Sequence, residues 1–248
     1  MATNQNIKTV YYPIFLDLHN KNVLVVGGGK VAERKILNLL RYGCRIHVVS
    51  PELTSQLEKL VSEKKIQHIP EQSLNQAMSE ASMVIAATDD PAVNAQIASR
   101  AKEKGLLVNA VDQPRDCNFI MPSIVSSGDL QIAISTGGKS PALAKKIRKE
   151  LQAMFGSEYR TLVELLGMLR TEVLARTDPS SENKPLFENL VNSDLLELIR
   201  KGDIDSIRAI LRSTLGASFP VDDIVTQVFK KESKREVDKG KGSRQKQK

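Results

Sequence analysis

The strongest constraint on this chain is a junction near its start. Asn22–Val26 (NVLVV) is a short, apolar, β-branched run, the composition of a strand buried on both faces. It ends in Gly27, Gly28 and Gly29. A helical period then runs from Lys30 to Tyr42, with Val31, Ile36, Leu39 and Leu40 on one side, and Gly43 stops it. The stretch Gly27-Gly28-Gly29-Lys30-Val31-Ala32 fits G-x-G-x-x-G/A. Such a loop needs one glycine for the tight turn and one where backbone meets a pyrophosphate, with free N–H groups at the helix start. Alone the motif is weak, and a tight βα turn in another α/β fold satisfies it too. Between a strand and a helix it predicts a dinucleotide site.

The first half of the chain repeats that alternation. Strands are expected at Arg45–Ser50, Ile66–Ile69, Ser82–Ala87 and Leu106–Val111, with helices at Leu53–Glu63 and from Pro91 to Lys104. Strands separated by helices imply a parallel sheet covered on both faces. After Asp112 the pattern changes. Ile120–Val125 and Leu130–Ser135, joined by Ser126-Ser127-Gly128-Asp129, predict a hairpin, and a helix follows from Pro141 to Phe155 behind Ser140 as its cap. From Tyr159 onward the chain reads as helical, with helices near Arg160–Arg176, Leu186–Leu190, Ser193–Arg200, Asp203–Leu215 and Val221–Lys231. The expected architecture is α/β: a Rossmann-type parallel sheet over residues 1–113, a small hairpin and helix over 114–157 for dimerisation and substrate, a helical domain over 158–229, and a basic, disordered tail over 230–248.

Four places carry candidate chemistry. The glycine loop is the first. At the end of the second strand, where NAD sites commonly place an acid for the ribose, stand Ser50, Pro51 and Glu52. Glu52 can serve if the loop folds back, and Ser50 does not repel a 2′-phosphate, so this position leaves NAD and NADP open. Thr88 and Asp89 end the fourth strand, at the sheet edge where open α/β folds bind ligands. Asp90, next to Pro91, is expected to cap the following helix. Asn109 and Asp112 close the fifth strand at the same edge. A carboxylate there suits a general base, although an Asx turn before Pro114 explains it equally well. Last, Ser135-Thr136-Gly137-Gly138-Lys139-Ser140 precedes a capped helix, with Arg115, Lys139, Lys145 and Arg148 near in sequence. That composition suits a multiply carboxylated ligand, and a plain turn beside solvated basic residues is its alternative.

Charge must be divided before it is used. Of the formal +7, residues 230–248 hold nine Lys/Arg against three Asp/Glu, so the body is nearly neutral. The tail reads as solvated charge; without interleaved aromatics it gives no reason to expect nucleic acid as a partner. No run nears the ~18 apolar residues of a membrane span, and Met1–Val10 lacks the apolar core of a secretory signal. Cys44, Cys117 and three histidines are too few and scattered for a metal cluster, so no metal ligands are expected, and a reducing cytoplasm is the expected compartment. Cys44 and His47 are expected to pack inside the fold.

Read in order, Tyr12-Pro13-Ile14-Phe15, VVGGGKVAERK (Val25–Lys35), AATDD (Ala86–Asp90), VNAVD (Val108–Asp112), FIMPSIV (Phe119–Val125) and STGGKSPALAKKIR (Ser135–Arg148) resemble precorrin-2 dehydrogenase, the dehydrogenase/ferrochelatase part of siroheme synthase. The resemblance is detailed from Tyr12 to Phe155 and loose beyond. It implies NAD-dependent oxidation of precorrin-2 to sirohydrochlorin, ferrous iron as a further substrate in some members, and a homodimer. It places the cofactor on Gly27–Val31, with Pro51 and Glu52 beside the adenosine ribose, and it puts the family's essential aspartate on Asp112. A serine phosphorylated in some members falls on Thr136. Fused members carry a methyltransferase domain; this sequence has no room for one, so methylation is expected of another protein. Two readings compete: a Rossmann module that senses nucleotides, and an adaptor driven by the basic tail. The first leaves Asp112 and the Gly137-Gly138 segment without a task. The second predicts salt-sensitive binding lost with the tail.

Overall fold

The computed structural model describes residues 10–176 and 183–244. It divides into two compact units, Met1–Met121 and Pro122–Lys248.

In the first unit five strands form one parallel sheet: β1 (Asn22–Val26), β2 (Arg45–Val49), β3 (Gln67–His68), β4 (Met83–Ala86) and β5 (Leu107–Ala110). Their order is β3-β2-β1-β4-β5. β1 is central because it has no polar residue after Asn22; Val23, Leu24 and Val25 are fully buried. Alternation along the strands sends Val23 and Val25 to one core and Leu24 and Val26 to the other. Four helices lie on this sheet: α1 (Lys30–Leu39), α2 (Ser55–Ser62), α3 (Leu74–Glu80) and α4 (Pro91–Glu103). α1 brings Ala32, Ile36 and Leu39 onto the first core, and α4 brings Ile97, Ala98 and Ala101 onto the second. Short α3 was not expected from the sequence; its seven residues span too little of a period to stand out. The strand order reverses between β1 and β4. Both strands end there, so the loops after them flank a crevice at the sheet's carboxyl edge. Cys44 is buried and its thiol donates to the Leu39 carbonyl at 3.3 Å. The unit continues past β5 because Asn118 N–H returns to the Val108 carbonyl at 3.1 Å, and Val108 N–H bonds the Asn118 side chain at 2.7 Å.

In the second unit β6 (Ser123–Ser127) and β7 (Leu130–Ile134) form an antiparallel hairpin. Gly128, at φ 64°, supplies the left-handed position of its two-residue turn. α5 (Pro141–Met154) follows, then α6 (Ser157–Arg176), α7 (Lys184–Val191), α8 (Leu195–Lys201), α9 (Ile204–Leu215) and α10 (Val221–Arg244). Leu165, Leu169, Leu190, Leu195, Ile207, Leu211 and Val225 form the common core of α6–α10. Where a disordered tail was expected from residue 230, α10 continues to Arg244. Lys231 and Arg235 on it reach Glu164 at 3.0 and 2.8 Å, and its Glu232 pairs with Arg160 at 3.3 Å. Residues 245–248 of that tail, and residues 1–9 at the other end, lie outside the described residues. Among the described residues no helix is long and apolar enough to cross a membrane.

Candidate active site

The crevice holds a cavity of about 500 Å³. Gly29, Lys30 and Val31 line it from the glycine loop, Thr88, Asp89, Pro91 and Asn94 from the β4–α4 junction, and Val111, Asp112 and Gln113 from the end of β5. Six of the sequence-predicted residues, Gly29, Lys30, Val31, Thr88, Asp89 and Asp112, therefore line one cavity.

The glycine loop is built by close packing. Gly27 has φ 116°, and a Cβ on it would strike the Ala87 carbonyl. Its N–H donates to Val49 O at 2.8 Å, so the chain turns tightly between β2 and β4. A Cβ on Gly28 would run into the Glu52 carbonyl and lie 2.7 Å from Ser50 Oγ. Ser50 and Glu52 thus rest on the glycine loop, and none of Ser50, Pro51 and Glu52 lines the cavity. Ser50 Oγ donates to Glu52 O at 2.7 Å, and Thr54 N–H to Gly28 O at 3.1 Å. Thr54 Oγ1 also donates to Glu33 Oε2 at 2.5 Å, while Lys30 Nζ reaches the same oxygen at 3.1 Å. The Thr54 hydroxyl first, then Lys30, hold the Glu33 carboxyl below its usual range.

Gly29 differs from its neighbours. It is the N-cap of α1, has φ −80°, and a Cβ built on it would meet no atom within 4 Å. It makes no side-chain cap, so the first N–H groups of α1 face open space beside it. An anion the width of a pyrophosphate fits this arrangement: unsatisfied donors, a positive helix end and backbone that can be approached closely.

At the opposite wall, Asp90 caps α4, accepting from Ala92 N–H at 2.7 Å. Sequence reasoning missed Asn94, which is 3% exposed and grips Thr88 on three sides. Asp112 is exposed and sits at φ 59°, a left-handed position that Asp and Asn tolerate better than most residues.

Arg115 and Asn109 also lie outside the cavity. Arg115 is exposed and points to its neighbour Asp116 at 3.9 Å. Asn109 turns toward α1, because on β5 it shares a face with Leu107 and Val111. Its Oδ1 accepts from Lys35 Nζ at 2.9 Å, and its Nδ2 donates to Phe119 O at 3.3 Å and toward Cys117 Sγ at 3.5 Å. Lys35 was also missed. Burial, and then the nearby Arg34 cation, push its ammonium below its ordinary range.

The segment Ser135–Ser140 lies in the second unit, between β7 and α5. Its polar atoms close the turn upon itself: Ser135 Oγ accepts from Gly137 N–H at 3.0 Å, Thr136 Oγ1 from Ser140 N–H at 3.0 Å, and Lys139 N–H donates to Thr136 O at 3.2 Å. Ser140 Oγ caps α5, accepting from Leu143 N–H at 3.2 Å. Gly137 and Gly138 have φ 60° and 78°, and a Cβ on either would meet nothing within 4 Å.

Residues 14–123 match the family model described as NAD(P)-binding, and residues 127–154 match that of the central segment of siroheme biosynthesis proteins. The siroheme synthase of Nitrosospira multiformis is 37% identical over 209 residues, 83% of this chain and 44% of that protein. Siroheme synthase 3 of Aeromonas hydrophila is 38% identical over 204 residues, 82% of this chain and 44% of that one. The chain thus spans less than half the length of these curated relatives. The solved structure of SirC, precorrin-2 dehydrogenase, is 25% identical, superposes with a TM-score of 0.62, and the match covers 89% of this chain and all of that one. With the two family models falling in sequence order along it, and its likeness to these relatives running through both units, the chain is a homologue of the siroheme synthases over most of its own length.

Proposed function

We propose that the chain catalyses the NAD-dependent oxidation of precorrin-2 to sirohydrochlorin. The observation that carries this reading is the switch-point cavity, which the glycine loop and Asp112 line together. The likeness to SirC, precorrin-2 dehydrogenase, over the whole of that protein supports the same chemistry.

Gly29, Lys30 and Val31 would hold the pyrophosphate at the start of α1, with Ser50–Glu52 beside the adenosine ribose and Thr88 and Asp89 on the far wall. When bound, NAD supplies the hydride acceptor. Oxidation of precorrin-2 removes one hydride and one proton. Asp112, exposed at the cavity's edge, accepts that proton on its carboxylate. The Ser135–Ser140 turn, with Lys139 beside two open glycines, suits the substrate's carboxylates. We further infer a homodimer. The exposed apolar side chains of Leu143 and Met154 on α5 support it, since a helix that leaves such groups in water has apolar surface to cover.

The test is an anaerobic assay with fresh precorrin-2 and either NAD or NADP, following reduced cofactor and sirohydrochlorin together. Their joint appearance is expected with NAD. Absence of both, with folded protein that binds the cofactor, overturns the reading. Ferrous iron added afterwards tests insertion into the product. Light scattering of the same sample reads the dimer.

A further inference from the structure

Lys35 is out of place for a lysine. Its ammonium is drawn part-way into the fold on the second turn of α1 and, among the described residues, lies within ion-pair distance of no carboxylate. Its partners are an amide oxygen, Asn109 Oδ1 at 2.9 Å, and a thioether, Met121 Sδ at 3.3 Å. A half-buried cation with so weak a partner set costs the fold stability, so its place needs a reason other than packing.

The reason lies in what Asn109 holds. The chain leaves β5, turns through Asp112 and returns along Cys117–Met121. Asn109 bonds that return at Phe119 O. The Cys117 thiol plugs the inside of the same loop: it accepts from Ala110 N–H at 3.2 Å and lies 3.3 Å from both Ala110 O and Gln113 O. Asp112 thus stands at the tip of a loop tied across its base. Asn109 makes one of those ties, and Lys35 anchors Asn109 to the helix that begins at the glycine loop.

We propose that Lys35 and Asn109 are positioning residues that brace the turn carrying Asp112 against α1, fixing the proton acceptor relative to the cofactor loop. This rests on the oxidation reading above. Neither residue lines the cavity, so both act through Asp112.

The test uses the double variant Lys35→Met/Asn109→Leu in the full chain. Replacing both partners by apolar groups of similar shape removes the ammonium together with the amide oxygen it meets and strands only the Phe119 carbonyl, so its melting temperature is expected no more than a few degrees below the wild-type value. NADH affinity is expected within about twofold, because the glycine loop keeps its own contacts. The kcat with precorrin-2 should fall about 100-fold with a smaller change in KM, as displacement of a reacting group by an ångström does. Iodoacetamide should label Cys117 about tenfold faster, since an opened loop exposes its thiolate, while buried Cys44 stays slow. Asn109→Asp, which keeps the contact to Lys35 and loses the donors to the returning segment, is expected to act in the same direction and replaces the double variant if that one does not fold.

Wild-type kcat and wild-type labelling in a folded variant overturn the brace. So does a loss of NADH binding in step with kcat, which assigns the pair to the cofactor helix instead. If the wild-type protein does not oxidise precorrin-2, the oxidation reading falls, and Cys117 labelling alone decides whether Lys35 and Asn109 hold the loop.

Discussion

Asn94 meets Thr88 three times: its Oδ1 accepts from Thr88 N–H at 3.0 Å and Oγ1 at 2.8 Å, and its Nδ2 donates to Thr88 O at 2.9 Å. One side chain from α4 therefore satisfies the backbone of the residue that closes β4. Thr88 Oγ1, already donating to Asn94 and lying 3.1 Å from Asp90 O, is left to act toward a ligand as an acceptor. Asn94→Leu would strand the Thr88 N–H and carbonyl. A stability loss of about 1–3 kcal/mol is expected in urea unfolding, together with weaker NADH binding. Unchanged unfolding would mean that water replaces the amide fully.

The two ends of the glycine loop are predicted to fail differently. Gly27→Ala places a methyl against the Ala87 carbonyl at a φ of 116°, where β1 and β4 cannot part without breaking the sheet. It should cost ~2 kcal/mol or more of stability. Gly29→Ala meets nothing and has an ordinary φ, so the fold should be spared while its methyl projects toward the helix N-terminus. Thermal melts paired with NADH titrations separate the two. Equal melts for both variants would contradict this account of the loop.

Lys35 makes its own mark on the pH dependence of stability. Burial first, then repulsion from Arg34, lower its folded pKa, against smaller opposing pulls from Cys117 and Asp112. Below the folded pKa the ammonium is charged in both states and its burial cost is complete. Above the ordinary value of 10.5 it is neutral in both, and that cost is gone. Between these limits the unfolded chain binds more protons, so this group makes stability rise with pH. The gap in unfolding free energy between wild type and Lys35→Met should therefore change as pH rises toward 10.5 and be flat below the folded pKa. Parallel curves throughout would show that Lys35 titrates as an exposed lysine.

Much of this was legible in the sequence because the signals were local. Asn22–Val26 followed by three glycines can be read within a dozen residues, and the alternation after it orders the parallel sheet. The residues that escaped notice are polar groups placed by tertiary contacts. Asn94 opens the i, i+3, i+4, i+7 stripe that continues through Ile97, Ala98 and Ala101, so its burial was available as a break in an apolar face. Lys35 stands between Ala32 and Leu39 on the buried flank of α1, where a lysine reads as solvated unless its partner on a distant strand is known. Asn109 misled in the opposite sense: its position at the end of a strand was right for a ligand contact, but its face was fixed by Leu107 and Val111. The continuation of α10 past residue 230 escaped because Lys231 and Arg235 pair with Glu164, about seventy residues away, which no local pattern of charge discloses.

Asp112 offers the sharpest separation of chemistry from folding. Its φ of 59° excludes most substitutions on conformational grounds, so Asp112→Ala would mix a strained turn with a lost carboxylate. Asn adopts the left-handed region as readily as Asp and has nearly its shape, so Asp112→Asn should melt as wild type does. The amide cannot accept the proton that the carboxylate would take. Oxidation of precorrin-2 is expected to slow by about 10²–10⁴-fold, the usual worth of a positioned general base, with NADH affinity unchanged because the glycine loop is untouched. Substrate affinity is the second readout. If Asp112 only orients the macrocycle, KM should rise as kcat falls; if it accepts the proton, kcat alone should drop. A variant that keeps full activity would remove Asp112 from the mechanism and return it to the role of a turn residue before Pro114.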